Sequence, residues 1–162
     1  MIVISDTSPI LYLLLINHLD LLPQLYGQII IPEIVRDELL DPGAPVELQQ
    51  WITNPPGWLR VERVTSTPDI SLNKLNPGER AAIALAQEYP VDLLIIDERA
   101  GRRAATNLGI PIIGTLGILD EAASLGLLNF AEAIALLTAT NFRASPGLIQ
   151  TLLDQYSQQE RK

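Results

Sequence analysis

The sequence predicts an α/β fold, a three-layer α/β/α sandwich around a mainly parallel sheet of about five strands. Short aliphatic runs bounded by turn residues recur along the chain, and segments of helical period separate them. Alternation of this kind belongs to strands joined by crossover helices. The chain has 162 residues, 48% of them hydrophobic, which is ordinary globular composition and enough to cover a sheet on both faces without staples.

Each element follows from local signals. Residues 2–4 are the first strand, ended by Ser5-Asp6. Ser8-Pro9 opens a helix over 8–15, and a short helix covers 19–26. The next buried strand is 28–31. Pro32 then stands at the first position of a helix over 32–40, where its missing N–H is harmless. Asp41-Pro42-Gly43 breaks that helix, and a helix over 46–52 is stopped by Asn54-Pro55-Pro56-Gly57. The third strand, 58–64, carries alternating charges at Arg60, Glu62 and Arg63, and a polar connection spans 65–76. An alanine-rich helix covers 77–89, a strand 93–96, a helix 98–108 and a fifth strand 111–113. Helices over 116–125, 130–138 and 146–156 complete the chain. The break at 138–145 divides it into a domain over 1–140 and a C-terminal helical appendage with a polar tail over 141–162.

Composition excludes several chemistries. With no cysteine there is no disulfide framework, thiol nucleophile, iron–sulfur cluster or cysteine zinc site. One histidine, His18, rules out an all-histidine metal site within a chain. The net charge of −8 speaks against a general nucleic-acid coat protein, though not against an enzyme whose carboxylates hold metal ions. The start of the chain lacks the basic residues of a secretory leader. The apolar stretch over 2–16 is interrupted by Asp6 and Pro9. Its longest clean run is about a third of the ~20 residues that a membrane span needs, so a soluble, cytoplasmic protein is expected.

In parallel sheets ligands gather beyond the carboxyl ends of the strands, where the strand order switches. Asp6 directly follows the first strand and Asp97 the fourth; helix capping is the plain alternative for each. In the helix over 32–40, Ile34, Val35 and Leu39 define an apolar stripe, and Glu38 lies within it. A carboxylate on an inward face is expensive unless compensated, and a cation in a cleft compensates it. Glu79 sits in the first turn of its helix, in line with the stripe of Ala82, Ile83 and Ala86; a helix-dipole role is its plain alternative. Four converging acids repel one another unless divalent ions neutralise them. Hard oxygen ligands suit Mg²⁺ or Mn²⁺, which points to metal-dependent phosphoryl chemistry.

These segments resemble the PIN-domain family, whose best-known members are metal-dependent ribonucleases, including toxins of toxin–antitoxin modules. The likeness runs through Ile-Val-Ile-Ser-Asp-Thr-Ser-Pro at 2–9 and Ile-Pro-Glu-Ile-Val-Arg-Asp-Glu-Leu at 31–39. It continues in Pro-Gly-Glu-Arg-Ala-Ala-Ile-Ala-Leu-Ala at 77–86 and Leu-Leu-Ile-Ile-Asp-Glu-Arg-Ala-Gly-Arg-Arg-Ala-Ala at 93–105. It closes with Ile-Ile-Gly-Thr-Leu-Gly-Ile-Leu at 112–119. The resemblance covers roughly residues 1–130. It implies Asp6, Glu38, Glu79 and Asp97 as the catalytic acids, with Glu98 as an alternate for the last. The third acid, often Asp in nuclease members, is Glu79 here.

The resemblance implies hydrolysis of RNA phosphodiesters, with Mg²⁺ or Mn²⁺ held by Asp6, Glu79 and Asp97 and the acidic cluster completed by Glu38. Thr7, Ser8 and Thr115 carry hydroxyls beside the expected cleft, as substrate contacts or as helix caps. Arg99, Arg102 and Arg103 form the candidate phosphate-binding patch, unless they pair with acids such as Glu98. An antitoxin partner is implied by the resemblance alone. A homodimer or higher homo-oligomer is a family expectation that the leucine-rich first helices also favour. The competing reading is a non-catalytic interaction module on the same fold. A receiver domain would place a lysine after the fifth strand, where Gly114-Thr115 stands. An aspartyl phosphatase would place a second Asp at position 8, which is serine.

Overall fold

Val3–Ser5 (β1) is the central strand of a five-stranded sheet in which every pairing is parallel. Ile29–Pro32 (β2) and Leu59–Glu62 (β3) lie to one side, Leu93–Ile95 (β4) and Ile112–Ile113 (β5) to the other, giving the order β3-β2-β1-β4-β5. The structure, a computed structural model, describes residues 1–160, with side chains through 157; residues 161 and 162 of the expected polar tail lie outside the described residues.

Crossover helices follow the strands as the sequence predicts. Thr7–Leu15 (α1) and Leu21–Tyr26 (α2) lead from β1 to β2, and Glu33–Leu39 (α3) and Val46–Thr53 (α4) from β2 to β3. Pro77–Glu88 (α5) joins β3 to β4, and Arg99–Asn107 (α6) joins β4 to β5. Thr115–Ser124 (α7), Phe130–Thr138 (α8) and Pro146–Glu160 (α9) come after the sheet. Within the expected polar connection a 3₁₀ turn, Ile70–Leu72, forms where Asp69 accepts the Ser71 N–H at 2.8 Å; it seats Leu72 in the core.

Because side chains alternate along a strand, the sheet sorts its aliphatics between two layers. Val3, Ile29, Ile31 and Ile95 join a core with residues of α1 to α4, α7 and α8. Ile4, Ile30, Leu94 and Ile96 pack with Ala82, Ile83, Leu85 and Ala86 of α5 and Ala105 of α6. Helix α5 is buried around most of its circumference, and its alanines let the neighbouring elements approach closely.

Two local expectations change. Pro32 ends β2 and occupies the N-cap of α3 rather than its first helical position: its ψ of 155° is extended, and strand pairing with Glu62 reaches that far. Ile34 is 42% exposed, so the inner stripe of α3 is Val35 and Leu39, with Glu38 half-buried beside them. At the other end of the chain, α9 lies against α8. The Tyr156 ring stacks on Phe130 with centroids 4.7 Å apart, and its hydroxyl donates to Asp120 Oδ1 at 2.6 Å. Among the described residues no helix is long and apolar enough to cross a membrane.

From β1 the chain steps outward through β2 and β3, then returns to the far side of β1 for β4 and β5. The switch in strand order therefore falls between β1 and β4, where Ser5 lies opposite Ile95 and the Asp6 N–H donates to the Ile95 carbonyl at 3.0 Å.

Candidate active site

The site starts from that crevice. Asp6 occupies the N-cap position of α1 yet makes no side-chain capping bond, so capping does not explain it. Asp6 is 3% exposed, and among the described residues its Oδ1 has no hydrogen-bond partner. Burial pushes its pKa up to about 7. The charges of Glu79, Glu38 and Asp97 push the same way, and the Thr7 backbone N–H opposes them. Glu38, Glu79 and Asp97, far from Asp6 in sequence, thus all act on it in space.

Glu38 reaches this cluster from α3. The Thr7 hydroxyl donates to Glu38 Oε2, which fixes the carboxylate between α1 and α5. Gly78, on the first turn of α5, makes this approach possible: a Cβ there would come within 2.5 Å of Glu38 Oε2. Glu79, the next residue, is 4% exposed. Its N–H donates to the N-cap residue Asn76 at Oδ1, 2.9 Å away, and the Asn76 side-chain amide donates back to Glu79 Oε1. This reciprocal pair is a close relative of the capping box, and it orients the carboxylate as well as starting the helix. Burial raises the pKa of Glu79, as do the nearby charges of Glu98 and Glu38, against the Asn76 bond.

Asp97 is held from the other side. It does not cap α6, whose N-cap is Glu98. Instead Oδ1 accepts the Thr115 N–H and Oδ2 the Thr115 hydroxyl, each at 2.7 Å. Burial raises its pKa while the Thr115 bonds and the Arg102 guanidinium hold it down. Gly114 keeps room for this arrangement, since a Cβ there would meet Arg102 Nη1 at 2.5 Å and Asp97 Oδ1 at 2.8 Å. Exposed Glu98 stands close enough to raise both Glu79 and Asp97.

The expected hydroxyls divide. Thr115 is fully buried with its hydroxyl committed to Asp97, so it orients a carboxylate rather than touching a substrate. Thr7 directs its hydroxyl to Glu38 in the same way. Ser8 lines the open groove.

The donor set suits a hard divalent cation. All four side chains offer oxygen, and Asp6 Oδ1 is a buried acceptor facing no donor. Among the described residues no three His, Asp or Glu side chains are drawn together as a ready-made ligand set. Bare carboxylates repel, and an ion between them reverses the sign of that interaction.

Beside the acids lies an open groove of about 1090 Å³. Its near bank is α6, where Arg99, Arg102 and Arg103 share one face at spacings of three and four. Among the described residues none of these arginines is ion-paired; Arg102 makes a long bond, 3.4 Å, to the Ile96 carbonyl. Asp97, Glu98 and Ser8 line the same groove, so of the four acids it is Asp97 that shares it with the arginine face.

The profile of the PIN domain family matches residues 2–158. The chain belongs to the PIN domain family. A PilT N-terminus domain protein from the hyperthermophilic archaeon Sulfolobus solfataricus P2 shares its fold. The two are 15% identical over 90% of this chain and 100% of that one, with a TM-score of 0.52. No curated protein gives a significant match. PIN domains are usually nucleases and generally depend on divalent metal. In this PIN domain, the sequence did not single out Asn76, the cradle glycines 78 and 114, Tyr12 or Arg143. The Asn-x-x-Glu spacing was readable as a cap, whereas Arg143 stands in an aperiodic linker where only the fold shows what it faces.

Proposed function

We propose that this PIN domain is a Mg²⁺- or Mn²⁺-dependent ribonuclease, with Asp6, Glu79 and Asp97 holding the ion and Glu38 completing the acidic cluster. The observation that carries this reading is Asp6, a buried carboxylate with an unpartnered oxygen whose pKa is raised first by burial and further by three other acids. A side chain so placed is unfavourable unless a cation meets it. When bound, the ion supplies Lewis-acid polarisation of the phosphodiester and offsets charge on the leaving oxygen.

The chain's own residues do the positioning. Thr115 holds the Asp97 carboxylate in one orientation, Thr7 does so for Glu38, and Asn76 for Glu79. The α6 arginines bind substrate phosphates and draw RNA to a protein of net charge −8, so binding is salt-sensitive. The resemblance to toxins of toxin–antitoxin modules extends the reading to a growth-arresting ribonuclease restrained by an antitoxin partner and working as a homo-oligomer.

The test is incubation with a panel of RNAs and DNAs plus Mn²⁺, comparing wild type with Asp6→Asn, alongside calorimetric titration of Mn²⁺ into each. RNA cleavage and Mn²⁺ binding by wild type, both lost in Asp6→Asn, support the reading. Wild type that neither binds Mn²⁺ nor cuts RNA overturns it and leaves the interaction module. Growth arrest on expression, relieved by Asp6→Asn, tests the toxin role.

A further inference from the structure

We propose that segment 139–145, between α8 and α9, forms the second bank of a groove for single-stranded nucleic acid, with Arg143 as a positioning residue that holds a backbone phosphate. The proposal rests on the nuclease reading above and adds a residue outside the acidic cluster and outside the α6 patch.

The groove has cationic side chains on both banks. Arg99, Arg102 and Arg103 stand on α6, and Arg143 lines the groove from the linker side. Four of the eleven basic residues of an acidic chain therefore face one groove. Among the described residues none of the four is ion-paired; Arg102 acts on Asp97, and the charge of the other three is available to a polyanion. Between the banks Ile112, Leu116, Leu148 and Leu152 supply apolar surface on which bases can lie.

Tyr12 fixes the linker in place. Its hydroxyl donates to Asn141 Oδ1 at 3.1 Å, and its ring meets Phe142 edge-on with centroids 5.0 Å apart. Arg143 follows directly. The Tyr12 hydroxyl has its pKa raised, first by burial and then by the charges of Asp97 and Glu98, and Arg143 counters them. Tyr12, Asp97, Glu98 and Arg143 all line this groove. A strand crossing the α6 face towards Asp97 passes between the three α6 arginines and Arg143, which fixes its register at Asp97.

The experiment measures binding of a fluorescein-labelled oligouridylate, about a dozen nucleotides long, by anisotropy across salt concentrations. The Asp6→Asn background keeps the strand intact, with Mg²⁺ present throughout. Arg143→Ala is expected to weaken binding roughly fivefold near 0.1 M salt and to flatten the log–log salt slope by about 0.7, the share of one phosphate contact on a single strand. Arg143→Lys restores the slope, Tyr12→Phe weakens binding by releasing Asn141, and Arg63→Ala, outside the groove, changes neither quantity. Melting temperatures report that each variant folds. Binding by the parent that Arg143→Ala leaves unchanged overturns the proposal while the nuclease reading stands. Cleavage by wild type with no detectable binding overturns the groove alone, and absence of both overturns the two together. Polyglutamate competing as well as oligouridylate assigns the groove to an acidic peptide and overturns the proposal too.

Discussion

Thr115 donates twice to Asp97, through its backbone N–H and its hydroxyl, each at 2.7 Å. The first residue of α7 thereby sets the orientation of the carboxylate that follows β4, two elements that the chain separates by a helix and a strand. Thr115→Val keeps the shape and removes the hydroxyl, leaving Asp97 Oδ2 short of its donor. Expected outcomes are a stability loss of roughly 1–3 kcal/mol, read as a lower Tm, and about 10–100-fold lower Mn²⁺ affinity or activity. Thr115→Ser should retain both. Metal titration and thermal melts on the two variants decide the point.

Asp6 makes the metal-free protein pH-dependent in an unusual direction. Its folded pKa, about 7, lies above the ordinary value of 3.8, so the folded chain holds this proton where the unfolded chain has released it. Stability from this group is full below the ordinary value and is lost as pH rises through about 7. Glu79 and Asp97 are shifted the same way. The metal-free Tm should fall by roughly 5–10 °C between mildly acidic and mildly alkaline pH. Asp6→Asn should flatten that slope, and added Mn²⁺ should raise Tm most at the alkaline end. A metal-free Tm that instead rises steadily with pH contradicts the site.

The strands, the crossover helices and the places of the four acids along them were readable because aliphatic runs and helical period are local signals; the strand order came from the structure. Asp6 and Asp97 sit at strand ends, so the topology alone brings them together. Glu38 was found on an argument only half sound: Ile34, used to define its stripe, faces solvent, while Val35 and Leu39 carry the burial. What holds the acids could not be read. The Thr115–Asp97 and Thr7–Glu38 bonds join residues 18 and 31 positions apart. No periodicity encodes such distances. Pro32 shows a smaller ambiguity, since a fixed φ suits both a strand end and a first helical turn, and parallel pairing with Glu62 decided between them.

Gly78 tests how closely α3 and α5 must approach. A Cβ at this position meets the Glu38 carboxylate at 2.5–2.9 Å from three of its atoms. In an ordinary exposed helix Gly→Ala stabilises, by about 1 kcal/mol. Here Gly78→Ala should destabilise by roughly 1–3 kcal/mol and displace Glu38, lowering metal affinity as well. A higher Tm with unchanged Mn²⁺ binding would show that Glu38 moves aside freely and contributes no fixed geometry to the cluster.

Tyr156 tests whether α9 is part of the folded unit or dispensable to it. Its single hydroxyl proton is shared between the carboxylate and the carbonyl of Asp120 on α7, and its ring stacks on Phe130 of α8. Burial, with the Asp120 charge and hydrogen bond, raises its pKa to about 12, so it remains a donor throughout the range in which the protein is handled. Tyr156→Phe keeps the stack and removes the hydroxyl, and should cost about 1 kcal/mol, or roughly 2–4 °C in Tm. Tyr156→Ala also removes the ring and should lower Tm by several degrees more. The same variant should loosen the groove bank, because Leu148 and Leu152 lie on the same helix. If Tyr156→Ala melts with wild-type Tm and cuts RNA as wild type does, α9 is a dispensable extension of the domain over 1–140. A lower Tm joined to weaker oligonucleotide binding makes α9 part of both the fold and the groove.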